Sequence, residues 1–204
     1  MSPRTPQQLQ AYKTQRKIEF LDKALALFAQ KGYFNTSIND LAQHLDISKG
    51  LLYSYFDSKE ALLNEVFKHG MTKGLEMSII SDALKADLSP KQRLDIIIDE
   101  YFDSIKKSQE LWRLLVSVSM NVSEIPSVHN TIHNIYKYTV EELTILFKTF
   151  PMKNPEEEAL MFGVIFDGIS MQYLMLGDDV MLEKIKNNIK KTYHQKFDES
   201  IKHN

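Results

Sequence analysis

Residues 159–176, ALMFGVIFDGISMQYLML, are apolar on nearly every face of a helix. A helix at the surface of a globular protein keeps a polar face, so this one is expected to be buried all round. The alternative is a membrane span, but Asp167 would then sit mid-bilayer with Gln172 nearby. The aspartate alone would cost about 3 kcal/mol there. The preferred expectation is burial between the chain's own body and a second subunit, with no membrane partner.

The rest of the chain reads as helix too. Only 7 glycines and 6 prolines occur in 204 residues, too few for a turn-rich all-β protein. Prolines punctuate the helices instead. SPKQRL sets Ser89 as an N-cap with Pro90 in the first helical position, and NPEEEA repeats the device at Asn154 and Pro155. EIPSV and FPMKN mark two more breaks. Near the N-terminus, Ile18, Leu21, Leu25 and Phe28 form an apolar stripe that ends at Gly32, a C-cap candidate. No stretch alternates apolar and polar residues between turn signals as a strand would. The expected fold is all-α, with roughly nine helices.

Composition narrows the chemistry. There are no cysteines, which removes disulfides, thiolate metal sites and cysteine nucleophiles, and fits a reducing cytoplasm. The opening residues MSPRTPQQLQAYKTQRK have no apolar core, so they do not read as a secretory signal. Net charge is −2 overall, yet residues 1–17 carry Arg4, Lys13, Arg16 and Lys17 with no acid. That local excess of positive charge suits contact with phosphate or the minor groove.

Residues 37–56 read as two short helices and a turn. Ser37 and Asp40 have capping-box spacing, with Ile38, Leu41, Ala42 and Leu45 facing inward. Ser48 caps a second helix that buries Leu52 and Phe56. This is a helix-turn-helix pattern, in which the second helix enters the major groove. Ser48, Lys49, Gly50 and Leu51 would then offer a small surface to the bases, with Tyr53 and Tyr55 placing hydroxyls toward phosphates. Lys59 opens the next helix and adds a cation on the same side.

Residues 28–63, FAQKGYFNTSINDLAQHLDISKGLLYSYFDSKEALL, resemble the DNA-binding domain of the TetR family of bacterial transcriptional regulators. The family pattern has a G-[YF]-x-x-[TS]-[TS] entry and an S-x-G-x-L-Y-x-[YH]-F-x-[SN]-K-E-x-L recognition segment. It falls on Gly32, Tyr33, Thr36, Ser37, Ala42, Ser48, Gly50, Leu52, Tyr53, Tyr55, Phe56, Ser58, Lys59, Glu60 and Leu62, within about a fifth of the chain. Two positions depart from it. Asp46 stands where the family usually has Gly in the turn, and Leu51 where it often has Thr. Asp tolerates a left-handed turn better than most residues. Leu51 cannot donate a hydrogen bond and would meet a thymine methyl instead.

The resemblance implies a ligand-responsive regulator, most often a repressor, that binds double-stranded operator DNA as a homodimer and leaves it when a small, largely apolar effector binds. Bases would be met by Lys49, Gly50 and Leu51, and phosphates by Thr36, Ser37, Tyr53, Tyr55 and Lys59. Three parts are expected: a basic flexible arm over 1–14, the helix-turn-helix domain over 15–60, and a helical ligand-binding and dimerisation domain over 61–204. Phe67, Met71, Phe102, Trp112, Met120, Tyr136 and Phe166 lie where the family builds its pocket, with Gln172 as a polar orienter. Family dimers pair through the last two long helices, which here points to Phe162, Gly163, Phe166, Ile169, Tyr173, Leu182, Ile185, Ile189 and Tyr193.

Other classes fit less well. His129 and His133 have the four-residue spacing of a metal pair, but no third ligand stands nearby, so neither metal nor cofactor is expected. G-x-S-x-G, H-E-x-x-H and a phosphate-binding glycine loop are all missing from the sequence, which argues against an enzyme. A constitutive DNA-binding protein would not need so long a helical remainder rich in methionine and aromatics.

Overall fold

The computed structural model describes residues 5–74 and 79–202. Among them are ten α-helices and no strand. They are α1 (Pro6–Lys31), α2 (Ile38–His44), α3 (Lys49–Tyr55), α4 (Lys59–Gly74), α5 (Ile79–Lys85), α6 (Pro90–Lys107), α7 (Gln109–Ser119), α8 (Pro126–Lys148), α9 (Pro155–Leu176) and α10 (Asp179–Lys202). A 3-10 turn, Val122–Glu124, precedes α8. The all-α expectation holds, with one helix more than expected.

The caps explain most boundaries. Thr5 and Gln8 form a capping box with Pro6 in the first turn, so α1 begins at Pro6. Residues 6–14, expected to be a flexible arm, are therefore helical, and Arg4 lies outside the described residues. Ser89 and Gln92 cap α6 in the same way. Asn154 does not cap α9 as expected: its side-chain amide donates to Glu157 Oε2 at 2.9 Å instead.

Two apolar cores run end to end. The first holds Phe20, Ala24 and Phe28 of α1, Leu41 of α2, Leu52 of α3, and Leu62, Leu63, Val66 and Phe67 of α4. Leu111, Leu114 and Val118 of α7 and Val128 of α8 close it from the far side. The second gathers α5 to α10 around Ile98, Phe102, Phe147, Phe162, Phe166 and Tyr193. Leu115 packs against both. The expected boundary at residue 60 falls on the first turn of α4, whose apolar face belongs to the first core. The N-terminal helices are thus joined to α7 directly through α1, and to α7 and α8 through α4.

Helix α9 is long and apolar enough to cross a membrane by length and composition alone. In the single chain it is not buried all round. Ala159, Phe162, Phe166, Ile169 and Tyr173 face inward, while Leu160, Met161, Val164, Met171 and Met175 are exposed.

Candidate nucleic-acid interface

The interface begins at the end of α1. Gly32 has φ 82°, a left-handed value that glycine adopts without a Cβ clash, and its N–H caps Phe28 O. The Thr36 hydroxyl donates back to Gly32 O at 2.7 Å, and Thr36 is buried. It holds the turn and cannot meet a phosphate with its side chain, contrary to expectation. Ser37 caps α2: its Oγ accepts from the Asp40 amide at 3.1 Å, while Asp40 Oδ2 accepts from the Ser37 amide at 2.7 Å. Lys31 lies 2.7 Å from the same carboxyl. The Lys31 ammonium, followed by the Ser37 donors, holds the Asp40 pKa well below the ordinary carboxylate range.

The turn between α2 and α3 depends on Asp46 at φ 53°, the one described non-glycine residue with positive φ. The Ile47 amide can then reach Ala42 O at 3.0 Å. Ser48 caps α3, accepting from the Leu51 amide at 3.1 Å. Leu52 and Phe56 anchor the helix in the core, which turns Ser48, Lys49, Gly50, Leu51 and Tyr53 outward. A Cβ at Gly50 would meet only Ser48 Oγ, at 3.9 Å, so a flat partner has room to approach. Lys49 has no acidic partner among the described residues, so its charge is available. Gln43 and His44, exposed at the end of α2, flank the same surface and had no distinguishing sequence signal.

Tyr53 and Tyr55 part company. Tyr53 is 50% exposed, whereas the Tyr55 ring packs edge-on against Phe20 at 5.1 Å and only partly reaches solvent. Lys59 differs most from expectation. Its ammonium donates to Tyr33 O at 3.0 Å and to Thr36 O at 2.9 Å, and lies 4.2 Å from the Tyr33 ring centroid. Burial lowers its pKa from the ordinary lysine value. Lys59 ties α4 to the α1–α2 turn rather than standing free for phosphate.

Behind this module lies a cavity of about 240 Å³ between α4, α5, α6, α7, α8 and α9. Four of the expected pocket residues line it: Met71, Trp112, Tyr136 and Phe166. The other four do not. Phe67 and Phe102 are sealed in the first and second cores, Met120 is 76% exposed at the end of α7, and Gln172 is exposed on the outside of α9. Tyr101, Tyr138 and Asp167 line the cavity without having been singled out for it. Tyr101 donates to Phe166 O at 2.5 Å, and burial raises its pKa. Trp112 Nε1 is buried with no hydrogen-bond partner.

The expected dimer residues also move. Phe162, Phe166, Ile169, Tyr173, Leu182, Ile189 and Tyr193 are all buried in the chain's own second core, with Ile185 packed against it. Gly163 faces inward too, its Cβ position 3.6 Å from the Tyr136 hydroxyl. The free apolar face of α9 is the opposite one, around Gly168, where a Cβ would meet nothing within 4 Å. His129 and His133 stack at 6.2 Å, and no group of three metal-ligating side chains occurs among the described residues.

Residues 20–66 match the family model described as bacterial regulatory proteins, tetR family. The helix-turn-helix segment is thus a tetR-type DNA-binding domain. Over 43 residues, 21% of the chain and 15% of the relative, it is 58% identical to an uncharacterised HTH-type transcriptional regulator, YuxN, of Bacillus subtilis. It is 24% identical to the fatty acid metabolism regulator protein of the same organism, over 48% of the chain and 50% of that protein. The chain spans half or less of the length of these curated relatives. A solved protein from Saccharomonospora viridis, described as a transcriptional regulator in complex with choline, superposes with a TM-score of 0.75. At 17% identity over 87% of this chain and 95% of that one, the likeness is one of fold.

Proposed function

We propose that this chain, whose N-terminal module is a tetR-type DNA-binding domain, is a ligand-responsive transcriptional repressor acting as a homodimer in the cytoplasm. The observation that carries the reading is the outward face of α3. Leu52 and Phe56 fix the helix from behind, while Lys49, Gly50, Leu51 and Tyr53 stand clear of the protein. In a major groove, Lys49 would reach base edges or a phosphate, Leu51 a thymine methyl, and Tyr53 and the Ser37 end of α2 the backbone.

The dimer would form on the exposed face of α9. Leu160, Val164, Met171 and Met175 make an apolar stripe with Gly168 at its centre, where a second helix could approach closely. Two α3 helices related by a twofold axis would read a near-palindromic operator.

The cavity would hold the effector. Met71 lines it and also belongs to the first core, on the helix whose first residue, Lys59, holds the entry to α2. A ligand that displaces Met71 would move α4, and with it the recognition helix. It shifts DNA binding only by its differential affinity for the two arrangements, typically about 1–3 kcal/mol of coupling. That a solved neighbour of the same fold carries choline supports a small-molecule site here. The test is a screen of small apolar and amphipathic compounds for thermal stabilisation, followed by operator release for each hit. Compounds that stabilise the protein yet leave DNA affinity unchanged would sink the gating mechanism.

A further inference from the structure

The polar groups of the cavity are few and point to one chemistry. Trp112 lends its ring to the lining, while its indole nitrogen is buried away from the open space. Asp167, exposed on α9, is the charged residue among the described lining. Tyr101, Tyr136, Phe162 and Phe166 contribute rings to the same lining, with the Phe166 centroid 4.3 Å from that of Tyr101 and 4.1 Å from that of Phe162. The faces of such rings are electron-rich and attract cations.

We propose that the cavity takes an organic cation, with an ammonium group held by Asp167 among the aromatic rings. The proposal rests on the reading of the cavity as the effector site. No lysine or arginine occurs among the described lining residues to receive an anionic ligand, and the Asp167 carboxylate would repel one. Burial raises the Asp167 pKa, and an adjacent positive charge would favour its ionised form. Tyr101 is already committed to Phe166 O, which fixes its ring as a wall and removes its hydroxyl as a ligand donor.

Two probes separate charge from shape. Benzoylcholine carries a quaternary ammonium, an ester carbonyl and a ring; 3,3-dimethylbutyl benzoate replaces its nitrogen with carbon and is neutral. Calorimetric titration of the full chain should show benzoylcholine binding at least about tenfold tighter than the neutral isostere. In Asp167→Asn that preference should vanish. Equal or tighter binding of the isostere to the wild type, or a preference that survives in Asp167→Asn, overturns the cation assignment. If the isostere binds and releases DNA without any charge preference, the effector cavity stands and the cation fails. If neither probe binds at millimolar concentration, both fall together.

Discussion

The Lys59 ammonium donates to the Thr36 carbonyl at 2.9 Å, joining the first turn of α4 to the entry of α2. With its second bond, to Tyr33 O, it satisfies two partly buried carbonyls. Lys59→Ala should therefore cost about 1–2 kcal/mol of stability while leaving the salt dependence of DNA binding nearly unchanged. Lys49→Ala should do the reverse, weakening and relaxing operator binding with no change in Tm. Salt titrations beside thermal melts of the two variants check this. A flattened slope with an unaltered melt for Lys59→Ala would return Lys59 to the DNA.

Asp40 makes the α1–α2 corner sensitive to acid. Its folded pKa is depressed by Lys31 and the Ser37 donors, so its charged form favours the folded state. That contribution is complete above the ordinary carboxylate value of 3.8 and fades as pH falls below it toward the lower folded value. The stability gap between wild type and Asp40→Asn should be largest near neutrality and narrow below that value. Denaturant midpoints across a pH series measure it, and a gap that widens in acid would contradict the pairing.

The two faces of α9 should respond differently to substitution. Phe162, 2% exposed and stacked on Phe166 at 4.1 Å, belongs to the chain's own core. Phe162→Ala should cost about 3–5 kcal/mol. Val164 is 57% exposed on the opposite face. Val164→Glu should keep native helical circular dichroism but sediment as a monomer, and a dimer that survives it would move the interface elsewhere.

Much of the DNA-binding module was legible because local chemistry fixes it. The Ser37–Asp40 and Ser48 caps and the left-handed turn at Asp46 follow from side chains a few residues apart. Lys59 was misread because its partners, the carbonyls of Tyr33 and Thr36, lie more than twenty residues away, and a main-chain acceptor leaves no trace in composition. The face of α9 was misassigned for a different reason. A helix apolar all round has no hydrophobic stripe to show which side meets the core, so periodicity could not choose between Phe162 and Val164. Asp167 was visible as an interruption of that segment, but its place in a cavity lining depends on α6, α7 and α8 packing beside it.

Between α4 and α8, Ser127 Oγ donates to Glu60 Oε1 at 2.5 Å and Thr131 Oγ1 to Asn64 Oδ1 at 2.7 Å. The following turn of α8 carries Ile132, Ile135 and Tyr136 into the cavity. Removing both bonds, by Ser127→Ala with Thr131→Val, should leave ligand affinity within about twofold. The ligand's effect on DNA affinity should change by about 0.5–2 kcal/mol. Linked titrations of ligand and DNA measure the coupling; an unaltered value would exclude this contact as the route.

The central claim is that two copies of α3 read a twofold-symmetric site, and in vitro selection from random duplex DNA tests it most directly. The enriched sequence should be a near-palindrome whose half-sites are centred about 34 Å apart or a multiple of that spacing. Lys49→Ala should alter the preferred bases in both halves equally. Recovery of no enriched sequence, or of a lone half-site without its inverted partner, would contradict the account.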